Sequence, residues 1–258
     1  MDNFRDMFSL EGKKAIIAGG AGGLGHNIAS ALMQNGADIA VADIDLSGAA
    51  PLEDEAQGIG RQYYGHRTNI LDSASVEEMV SAVVSRFGRV DILINAAGMN
   101  ILKKAEEYDE ESWNKVMALN VTGTHLVTKA VGAHMIGQRY GRIISISSVR
   151  SILGMPQDYL AYCASKGAIN MYTKQLACEW AKYGITCNAV APTFTRTAIN
   201  SFQLDDPVFY KKLVDRIPLG RICTPKDICA AMVYLASDAA SFVTGQILGV
   251  DGGITVIQ

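Results

Sequence analysis

The chain has 258 residues, of which 49% are hydrophobic and 19% are charged, and this size suits one undivided α/β domain over residues 1–258. With 23 lysines and arginines against 26 aspartates and glutamates, the net charge is −3, which argues against a nucleic-acid partner. The five cysteines form no C-x-x-C pair and the four histidines are scattered, so neither a disulfide nor a metal site is expected. No stretch reaches the roughly 18 apolar residues of a membrane span and no signal core is present, so we expect a cytoplasmic protein.

Short apolar runs alternate with longer helical patterns along the chain. Strands are predicted near residues 14–18, 38–42, 61–66, 90–94, 142–146, 185–190 and 246–250. Helices are predicted near residues 23–35, 73–87, 109–138, 162–183 and 225–235. This alternation is typical of right-handed βαβ units, so the sequence predicts a doubly wound Rossmann domain with a seven-stranded parallel sheet flanked by helices. The segment 193–218 is too long for a simple connection and is predicted to be a substrate-binding loop or lid.

A glycine-rich loop joins the first predicted strand to the first helix. Gly20, Gly22 and Gly25 have the G-x-G-x-x-G spacing of dinucleotide-binding loops, while Gly19, Gly23 and Gly25 fit a related pattern equally well. In either pattern the missing Cβ atoms permit a tight turn and let a pyrophosphate approach the amides at the helix N-terminus. The residues expected to bind the cofactor here are Gly19, Gly22, Gly23, Leu24 and Gly25.

An aspartate ends the next predicted strand. Asp43 follows Gly25 by 18 residues, where a carboxylate can accept hydrogen bonds from both hydroxyls of an adenosine ribose and would repel a 2′-phosphate. No lysine or arginine stands at positions 18–25 or 44–48 to attract that phosphate. The sequence therefore favours NAD over NADP as the cofactor.

A tyrosine and a lysine lie one helical turn apart. Tyr162 and Lys166 have i, i+4 spacing and share one face of their predicted helix. A phenol with a pKa near 10 is a poor base at neutral pH, but a neighbouring ammonium or the ring of an oxidised nicotinamide lowers that pKa. Tyr162 can then act as a general base on an alcohol or a general acid on a carbonyl. Ser147 and Ser148 end the preceding strand, where a serine hydroxyl can polarise the reacting oxygen.

These features together resemble the short-chain dehydrogenase/reductase family over nearly the whole chain. Its glycine motif is matched by Gly19, Gly23 and Gly25, with Ala18 where a threonine is usual. Its N-N-A-G segment is matched by residues 95–98, so the resemblance implies cofactor contacts from Asn95, Ala96 and Gly98.

Two further cofactor contacts are implied by the resemblance, each with a departure from the family pattern. Asn69 stands where an aspartate often meets the adenine amino group, and its amide oxygen can still accept that bond. Pro192 and Thr197 resemble the P-G-x-x-x-T turn that contacts nicotinamide, although Thr193 replaces the glycine.

The resemblance also implies the catalytic set. Ser148, Tyr162 and Lys166 match the family's serine, tyrosine and lysine, and Asn120 matches the helix asparagine that holds a water in the proton relay. Ser148 precedes Tyr162 by fourteen residues rather than the commoner thirteen, which leaves Ser147 as an alternative. The implied reaction is hydride transfer between a carbinol carbon and nicotinamide C4, with Tyr162 taking the hydroxyl proton and Lys166 also holding Tyr162 and the nicotinamide ribose.

Substrate choice is expected to depend on the segment 193–218 and on the loop 150–160. We expect a small polar substrate such as a polyol, a sugar or a sugar acid. Arg150 and Arg196 are candidate bidentate partners for a carboxylate or sulfonate, each against the alternative of a solvated surface arginine. Tyr159 is a further candidate substrate contact.

Assembly and competing functions complete the expectations. The predicted helix around residues 113–135 is apolar on several faces, which internal packing can also explain. In the family, this helix and the tyrosine–lysine helix build one interface and the C-terminal segment builds another, so the resemblance implies a homotetramer. The alternatives to an NAD-dependent alcohol or polyol dehydrogenase are an NADPH-dependent carbonyl or 3-ketoacyl reductase and a non-catalytic dinucleotide-binding regulator. A flavin or S-adenosylmethionine enzyme would leave the tyrosine–lysine pair unexplained.

Overall fold

Seven parallel strands form one sheet in the computed structural model, which describes residues 6–156, 158–196 and 204–257. The strands are β1 (Lys14–Ala18), β2 (Asp38–Asp43), β3 (Tyr63–Arg67), β4 (Ile92–Asn95), β5 (Gly141–Ile146), β6 (Ile185–Pro192) and β7 (Ile247–Val250). Their spatial order is β3-β2-β1-β4-β5-β6-β7, and every neighbouring pair is parallel. The order reverses direction between β1 and β4, which is where open α/β sheets bind their ligands. The predicted doubly wound fold is confirmed.

Helices cover both faces of the sheet. They are α1 (Gly23–Gln34), α2 (Ala50–Gly58), α3 (Ser73–Phe87), α4 (Glu110–Met117), α5 (Thr124–Gln138), α6 (Leu160–Trp180), α7 (Pro207–Val214) and α8 (Pro225–Ala236). Alternate residues of each central strand feed two separate cores. Ile17 packs in the core beside α1, α2 and α8, whereas Ile16 packs in the core beside α3, α5 and α6. This two-sided burial explains why the central strands are continuous apolar runs rather than alternating ones.

The predicted helix over 109–138 is wrong as a single α-helix. The chain forms α4, then a π-helical stretch over Ala118–Gly123, and only then α5. Isolated π-helical turns inside α-helices are rare and occur mostly at functional positions. Here the π-helical stretch contains the buried Asn120.

Two helices have weak sequence signals and were not predicted. Helix α2 buries only Leu52 and Ala56 among polar neighbours, so its apolar pattern is faint. Helix α7 lies inside the segment expected to be a loop. It begins after Asp206, whose carboxylate accepts a hydrogen bond from the Val208 amide at 2.9 Å, with Pro207 at the first helical position. Because Asp-Pro is also a common turn signal, the short helix is hard to tell from a turn.

A third, smaller core holds the segment after β6 against the rest of the chain. It contains Val149, Leu204, Leu213, Ile217 and Ile254, which come from four separate parts of the sequence. From the segment 193–218, the described residues Leu204, Leu213 and Ile217 are therefore held in a core shared with the chain after β5 and after β7. No helix in the described residues is both long and apolar enough to cross a membrane.

Candidate active site

The predicted cofactor and catalytic residues that the structure describes come together at the carboxyl edge of the sheet. The glycine loop follows β1, Asp43 ends β2, the 95–98 segment follows β4, and the two serines follow β5. Because all seven strands are parallel, their carboxyl ends share this edge and their following loops form one cleft.

The glycine loop is packed too tightly for side chains at two positions. A Cβ on Gly19 would lie 2.5 Å from the Ala97 amide nitrogen, and a Cβ on Gly25 would lie 2.0 Å from the Gly19 carbonyl oxygen. Gly19 and Gly23 also have positive φ angles of 80° and 55°. A Cβ on Gly22, by contrast, would meet nothing within 4 Å. Of the two spacings, the geometry therefore explains that of Gly19, Gly23 and Gly25.

The same loop suits an anionic group. Helix α1 begins at Gly23, and its N-cap residue, Gly22, has no side chain to occupy the free amides of the first turn. Gly22 and Gly23 are exposed, and no atom lies within 4 Å of where their side chains would be. Leu24 is half-buried on the same turn. This bare helix N-terminus fits the pyrophosphate of a dinucleotide, which backbone amides and the helix dipole can hold.

Asp43 faces this loop from the end of β2. Its Oδ2 accepts a hydrogen bond from the Ala21 amide at 3.1 Å, and its Oδ1 accepts one from the Asp45 amide at 3.3 Å. The carboxylate is thus held in one orientation beside the loop. A cation that the sequence analysis did not consider is also near, because Arg67 is the register partner of Asp43 on β3 and its Nε donates to the Ile44 carbonyl at 3.2 Å.

Asn69 has a local structural role. Its Oδ1, the oxygen expected to accept a bond from adenine, accepts the Leu71 amide at 3.1 Å. The backbone amide of Asn69 donates to the Ser75 hydroxyl at 3.0 Å, and this bond ties the loop after β3 to helix α3. The amide oxygen keeps a second lone pair for an adenine amino group.

The 95–98 segment is fixed from both sides. The Ala96 amide donates to the Ala18 carbonyl at 2.8 Å, which holds the segment against the glycine loop. The Asn95 side chain is turned inward, where its Nδ2 donates to Thr128 at 3.0 Å and to Ser145 at 3.3 Å. Asn95 therefore positions the segment, and its amide nitrogen is already engaged with the protein interior.

Asn120 joins the 95–98 segment to helix α6. Its Oδ1 accepts the Met99 amide at 2.8 Å, and its Nδ2 donates both to the Met99 carbonyl and to the Ser165 hydroxyl at 2.9 Å. A Cβ on Gly98 would lie 3.4 Å from the Asn120 Oδ1 and 3.6 Å from the Lys166 Nζ. The sequence motif identified Asn120, but its contacts with Met99 and Ser165 depend on the π-helical stretch and were not predicted.

Tyr162 and Lys166 lie on the face of α6 that meets β5. The Lys166 Nζ donates to the Ile146 carbonyl at 2.7 Å and lies 5.5 Å from the centre of the Tyr162 ring. Burial lowers the pKa of Lys166 to about 8. Burial also raises the pKa of Tyr162 to about 12, against the opposing effect of its hydrogen bond with Ser148. The net shift of the Tyr162 pKa is thus upward, because loss of hydration outweighs the lowering effects of the Ser148 hydroxyl and the Arg150 charge.

The two serines have different partners. The Ser148 side chain hydrogen-bonds with Tyr162, and its Oγ accepts the Arg150 amide at 3.1 Å. The Ser147 hydroxyl instead donates to the Asn170 Oδ1 at 2.6 Å. Of these two serines, Ser148 is therefore the one that interacts with the Tyr162 phenol. Asn170, a residue that no motif singled out, accounts for the other serine.

The candidate nicotinamide turn is described only in part. Pro192 is the last residue of β6 and is buried, and the Thr193 amide donates to the Val250 carbonyl at 3.4 Å. Thr193, the departure from the usual glycine, is therefore accommodated next to β7. Thr197 lies outside the described residues.

The two candidate arginines differ in environment. Arg196 is exposed and forms an ion pair with Asp205, with 2.6 Å between Nη1 and Oδ1. Arg150 is only 3% exposed, and burial lowers the pKa of its guanidinium. Tyr159 is half-buried with its ring 6.0 Å from that of Tyr162 in an edge-to-face arrangement. Arg150 and Tyr159 thus lie beside the tyrosine of the catalytic set, and Arg196 already has a carboxylate partner.

The chain is similar to known proteins over nearly its whole length. A family model described as enoyl-(acyl carrier protein) reductase matches residues 19–255. The chain is 39% identical to a D-threitol dehydrogenase of Mycolicibacterium smegmatis over 96% of this chain and 95% of that protein. It is 36% identical to a 3-oxoacyl-(acyl-carrier-protein) reductase of Thermotoga maritima, covering 96% of this chain and 99% of that protein. A crystal structure of a gluconate 5-dehydrogenase from Burkholderia cenocepacia in complex with NADP and tartrate is 35% identical, has a TM-score of 0.94 and covers 99% of this chain and 100% of that one.

Proposed function

Since the chain belongs to the short-chain dehydrogenase/reductase family and is an oxidoreductase of alcohol or ketone substrates, we propose that it transfers a hydride between NAD(H) and a secondary alcohol of a small polar substrate. The substrate class is a polyol, a sugar or a sugar acid. The observation that carries this proposal is the contact of Ser148 with Tyr162 at the sheet edge, with Lys166 held one turn away. The names of the relatives, a threitol dehydrogenase and a gluconate 5-dehydrogenase, support the substrate class.

The residues divide the chemistry between them. When bound, the nicotinamide ring supplies the carbon that accepts or donates the hydride. Tyr162 takes the hydroxyl proton of an alcohol, or returns it to a carbonyl, and Ser148 donates a hydrogen bond to the same oxygen. A tyrosine with a pKa of about 12 is protonated at neutral pH, which suits the acid role in carbonyl reduction directly.

Alcohol oxidation requires Tyr162 to lose its proton first. Lys166, protonated below its pKa of about 8, stabilises the phenolate through its positive charge. Asn120 bonds both to Met99, just after the 95–98 segment, and to Ser165 on helix α6. These bonds hold the segment against the helix, so Lys166 stays beside Gly98. The segment 193–218 covers the substrate side of the cleft in this proposal.

The cofactor preference rests on Asp43. A carboxylate held by two backbone amides can accept both ribose hydroxyls of NAD and repels a 2′-phosphate. The alternative is an NADPH-dependent carbonyl or 3-ketoacyl reductase. Arg67 beside Asp43 favours this alternative, since a guanidinium there can pair with a 2′-phosphate. A non-catalytic dinucleotide-binding regulator is disfavoured because the whole serine, tyrosine, lysine and asparagine set is present.

A homotetramer is part of the proposal. On helix α6, the side chains of Leu160 and Met171 are 43% and 63% exposed. Phe242, just before the edge strand β7, and Leu248, on β7, are exposed as well. Exposed apolar side chains in these two places are the feature that would fit two interfaces. Light scattering after size-exclusion chromatography is expected to give a mass near four times 27.7 kDa, and a monomer mass would contradict this part of the proposal.

The test of the function is a substrate panel with matched variants. Purified protein is assayed with polyols, sugar acids and a 3-ketoacyl thioester, each with both nicotinamide cofactors, by the absorbance of the reduced cofactor. We expect turnover of a polyol or sugar acid with NAD⁺, and a loss of about 10²–10⁴-fold in kcat for Tyr162→Phe with cofactor binding retained. Tyr172→Phe, on the same helix but with its hydroxyl engaged with His125, is the control and keeps most of the activity with a neutral polyol. Unchanged turnover in Tyr162→Phe would overturn the assignment, and turnover of the thioester alone would select the reductase alternative.

A further inference from the structure

Arg150 is a buried cation whose charge no carboxylate in the described residues neutralises. Its side chain follows β5, is 3% exposed and forms no ion pair with the acidic residues that the structure describes. The ionisable groups that affect it are Arg216, another cation, and the neutral side chains of Tyr159, Tyr162 and Cys163. Arginine stays protonated in proteins, so a full positive charge is held here with little hydration. An arrangement of this kind is costly for the folded protein unless a partner arrives.

The hydrogen bonds of Arg150 leave one edge of its guanidinium free. Its Nη1 donates to the Gly154 carbonyl at 3.2 Å and lies 3.5 Å from the Leu153 carbonyl. Its Nε and Nη2 are buried and have no hydrogen-bond partner among the residues that the structure describes. These two nitrogens share the side of the guanidinium away from Nη1 and point their N–H groups in the same direction. This edge is the one that pairs side-on with the two oxygens of a carboxylate.

The position of this edge relates it to the reaction. The charge of Arg150 acts on Tyr162, and the Arg150 amide donates to the Oγ of Ser148, so the guanidinium stands beside the residues that handle the reacting oxygen. The Phe194 ring, just after β6, lies 6.0 Å from the guanidinium carbon. The guanidinium therefore lies near Tyr162, between the loops that follow β5 and β6.

We propose that Arg150 binds the carboxylate of the substrate through its Nε and Nη2, and that the substrate is a hydroxycarboxylic acid of the sugar-acid class rather than a neutral polyol. The inference rests on the proposed function, since it names the substrate of that same site. Both nitrogens are buried in the structure. A carboxylate therefore reaches them only when neighbouring side chains, among them Phe194 and those near Arg216, move aside. Arg196 is excluded as the anchor because Asp205 already pairs with it.

The test compares an aldonate with the alditol of the same chain length, gluconate against glucitol, in the proposed reaction. In Arg150→Met, we expect kcat/KM for gluconate to fall about 10–100-fold, mainly through KM, because a charge-assisted bidentate pair is lost. The kcat/KM for glucitol is expected to change less than about threefold. Arg150→Lys keeps the charge without the fork and is expected to lie between wild type and Arg150→Met. The control is Arg196→Met, which removes an exposed arginine and is expected to leave the preference for gluconate unchanged.

A binding readout separates anchoring from support of the fold. Gluconate in the presence of NADH is expected to raise the Tm of the wild type and of Arg196→Met but not that of Arg150→Met. Without ligand, the Tm of Arg150→Met is expected to equal or exceed that of wild type, since an unpaired buried charge is removed. A lower Tm together with equal losses on gluconate and glucitol would show a structural role and overturn the proposal.

The two proposals fail in different ways. A wild-type enzyme that prefers glucitol to gluconate overturns the carboxylate anchor and leaves the dehydrogenase assignment intact. A wild-type protein that turns over no member of the wider panel with either cofactor overturns the proposed function and the anchor with it.

Discussion

On the nucleotide side of the cleft, which comprises the loop 18–25, Asp43 and the segment 95–98, the surface is largely backbone. Glycines bring chain segments so close that an added Cβ would lie 2.5 Å or less from main-chain atoms. On the substrate side, which comprises Ser148, Arg150, Tyr162 and the described residues of the segment 193–218, side chains from distant parts of the sequence lie near a separate small core. A nucleotide is recognised by geometry that any chain with these glycines can form, whereas a substrate is recognised by particular side chains in particular orientations.

The substrate side gives the largest expected effect in this comparison. Ser148→Ala removes the serine hydroxyl beside the Tyr162 phenol, and we expect kcat to fall about 10²–10³-fold, as for loss of an oxyanion donor. Ser147→Ala is the matched control, because that hydroxyl bonds to Asn170 instead, and it is expected to cost less than about tenfold. Steady-state kinetics at saturating cofactor decide between them. Equal losses, or a larger loss in Ser147→Ala, would transfer the catalytic role to Ser147.

On the nucleotide side, we expect a glycine substitution to act by displacing the backbone. In Gly25→Ala the new Cβ would lie 2.0 Å from the Gly19 carbonyl oxygen, so the main chain must move. We expect a loss of about 1–3 kcal/mol in stability, which lowers Tm by several degrees, and weaker NADH binding by fluorescence titration.

Gly22→Ala, whose Cβ meets nothing within 4 Å, is the control for that substitution. Its Tm is expected to match wild type within about 2 °C. If the two alanine variants lose stability equally, the tight packing of the loop is not what requires glycine at position 25.

Asp43 is the one charged side chain by which the nucleotide side is expected to discriminate. Asp43→Ser removes the carboxylate that repels a 2′-phosphate, so the ratio of kcat/KM for NADP⁺ to that for NAD⁺ is expected to rise at least about tenfold. Adding Arg67→Ala to this variant is expected to reverse part of the gain, because Arg67 is the nearby cation on β3. A wild-type enzyme that already prefers NADP⁺ would contradict the proposed use of NAD.

The smallest effect is a pH dependence on the substrate side. Burial raises the pKa of Tyr162 to about 12, so the reactive phenolate is scarce at pH 7 and becomes more common as the pH rises. We expect kcat/KM for alcohol oxidation to increase by up to about tenfold per pH unit below pH 8. Tyr159 and Cys163 nearby also have pKa values raised by burial, so neither is expected to lose its proton over this range.

Lys166 is expected to change the shape of this pH profile near pH 8. Its pKa is lowered to about 8, so its charge and its support for the phenolate are lost above that pH, and the rise is expected to flatten there. In Lys166→Met the rate is expected to be lower throughout and the flattening near pH 8 absent. A profile that falls with pH from 7 to 8 would contradict the role of Tyr162 as the base.

The sequence predicted the elements whose signals are local and repeated. The central strands are buried on both faces, as Ile16 and Ile17 show, so each one appears as a continuous apolar run. The weak elements were missed. Helix α2 buries too few apolar side chains to produce a period, and the π-helical stretch around Asn120 has no sequence pattern that distinguishes it from an α-helix. The predicted third strand began two residues early, since β3 is only half-buried at the sheet edge.

The site was predictable to the extent that motifs encode backbone geometry or a helical face. The i, i+4 spacing puts Tyr162 and Lys166 on one face, and the contact of Ser148 with Tyr162 agrees with the motif. The direction of the Tyr162 pKa shift was not predictable, because it depends on how much water the folded chain removes from the phenol. The spacing of residues along the sequence does not show how deeply a side chain is buried.

By itself, then, the sequence determined the parallel sheet, the edge at which ligands bind and the residue types that meet there, because these follow from periodicity and from positions where only glycine fits. Tertiary structure alone decided which of two similar residues is engaged elsewhere. Ser147 bonds to Asn170, Arg196 pairs with Asp205, and one edge of Arg150 has no partner among the described residues, because each outcome depends on how the loops fold and not on a sequence motif.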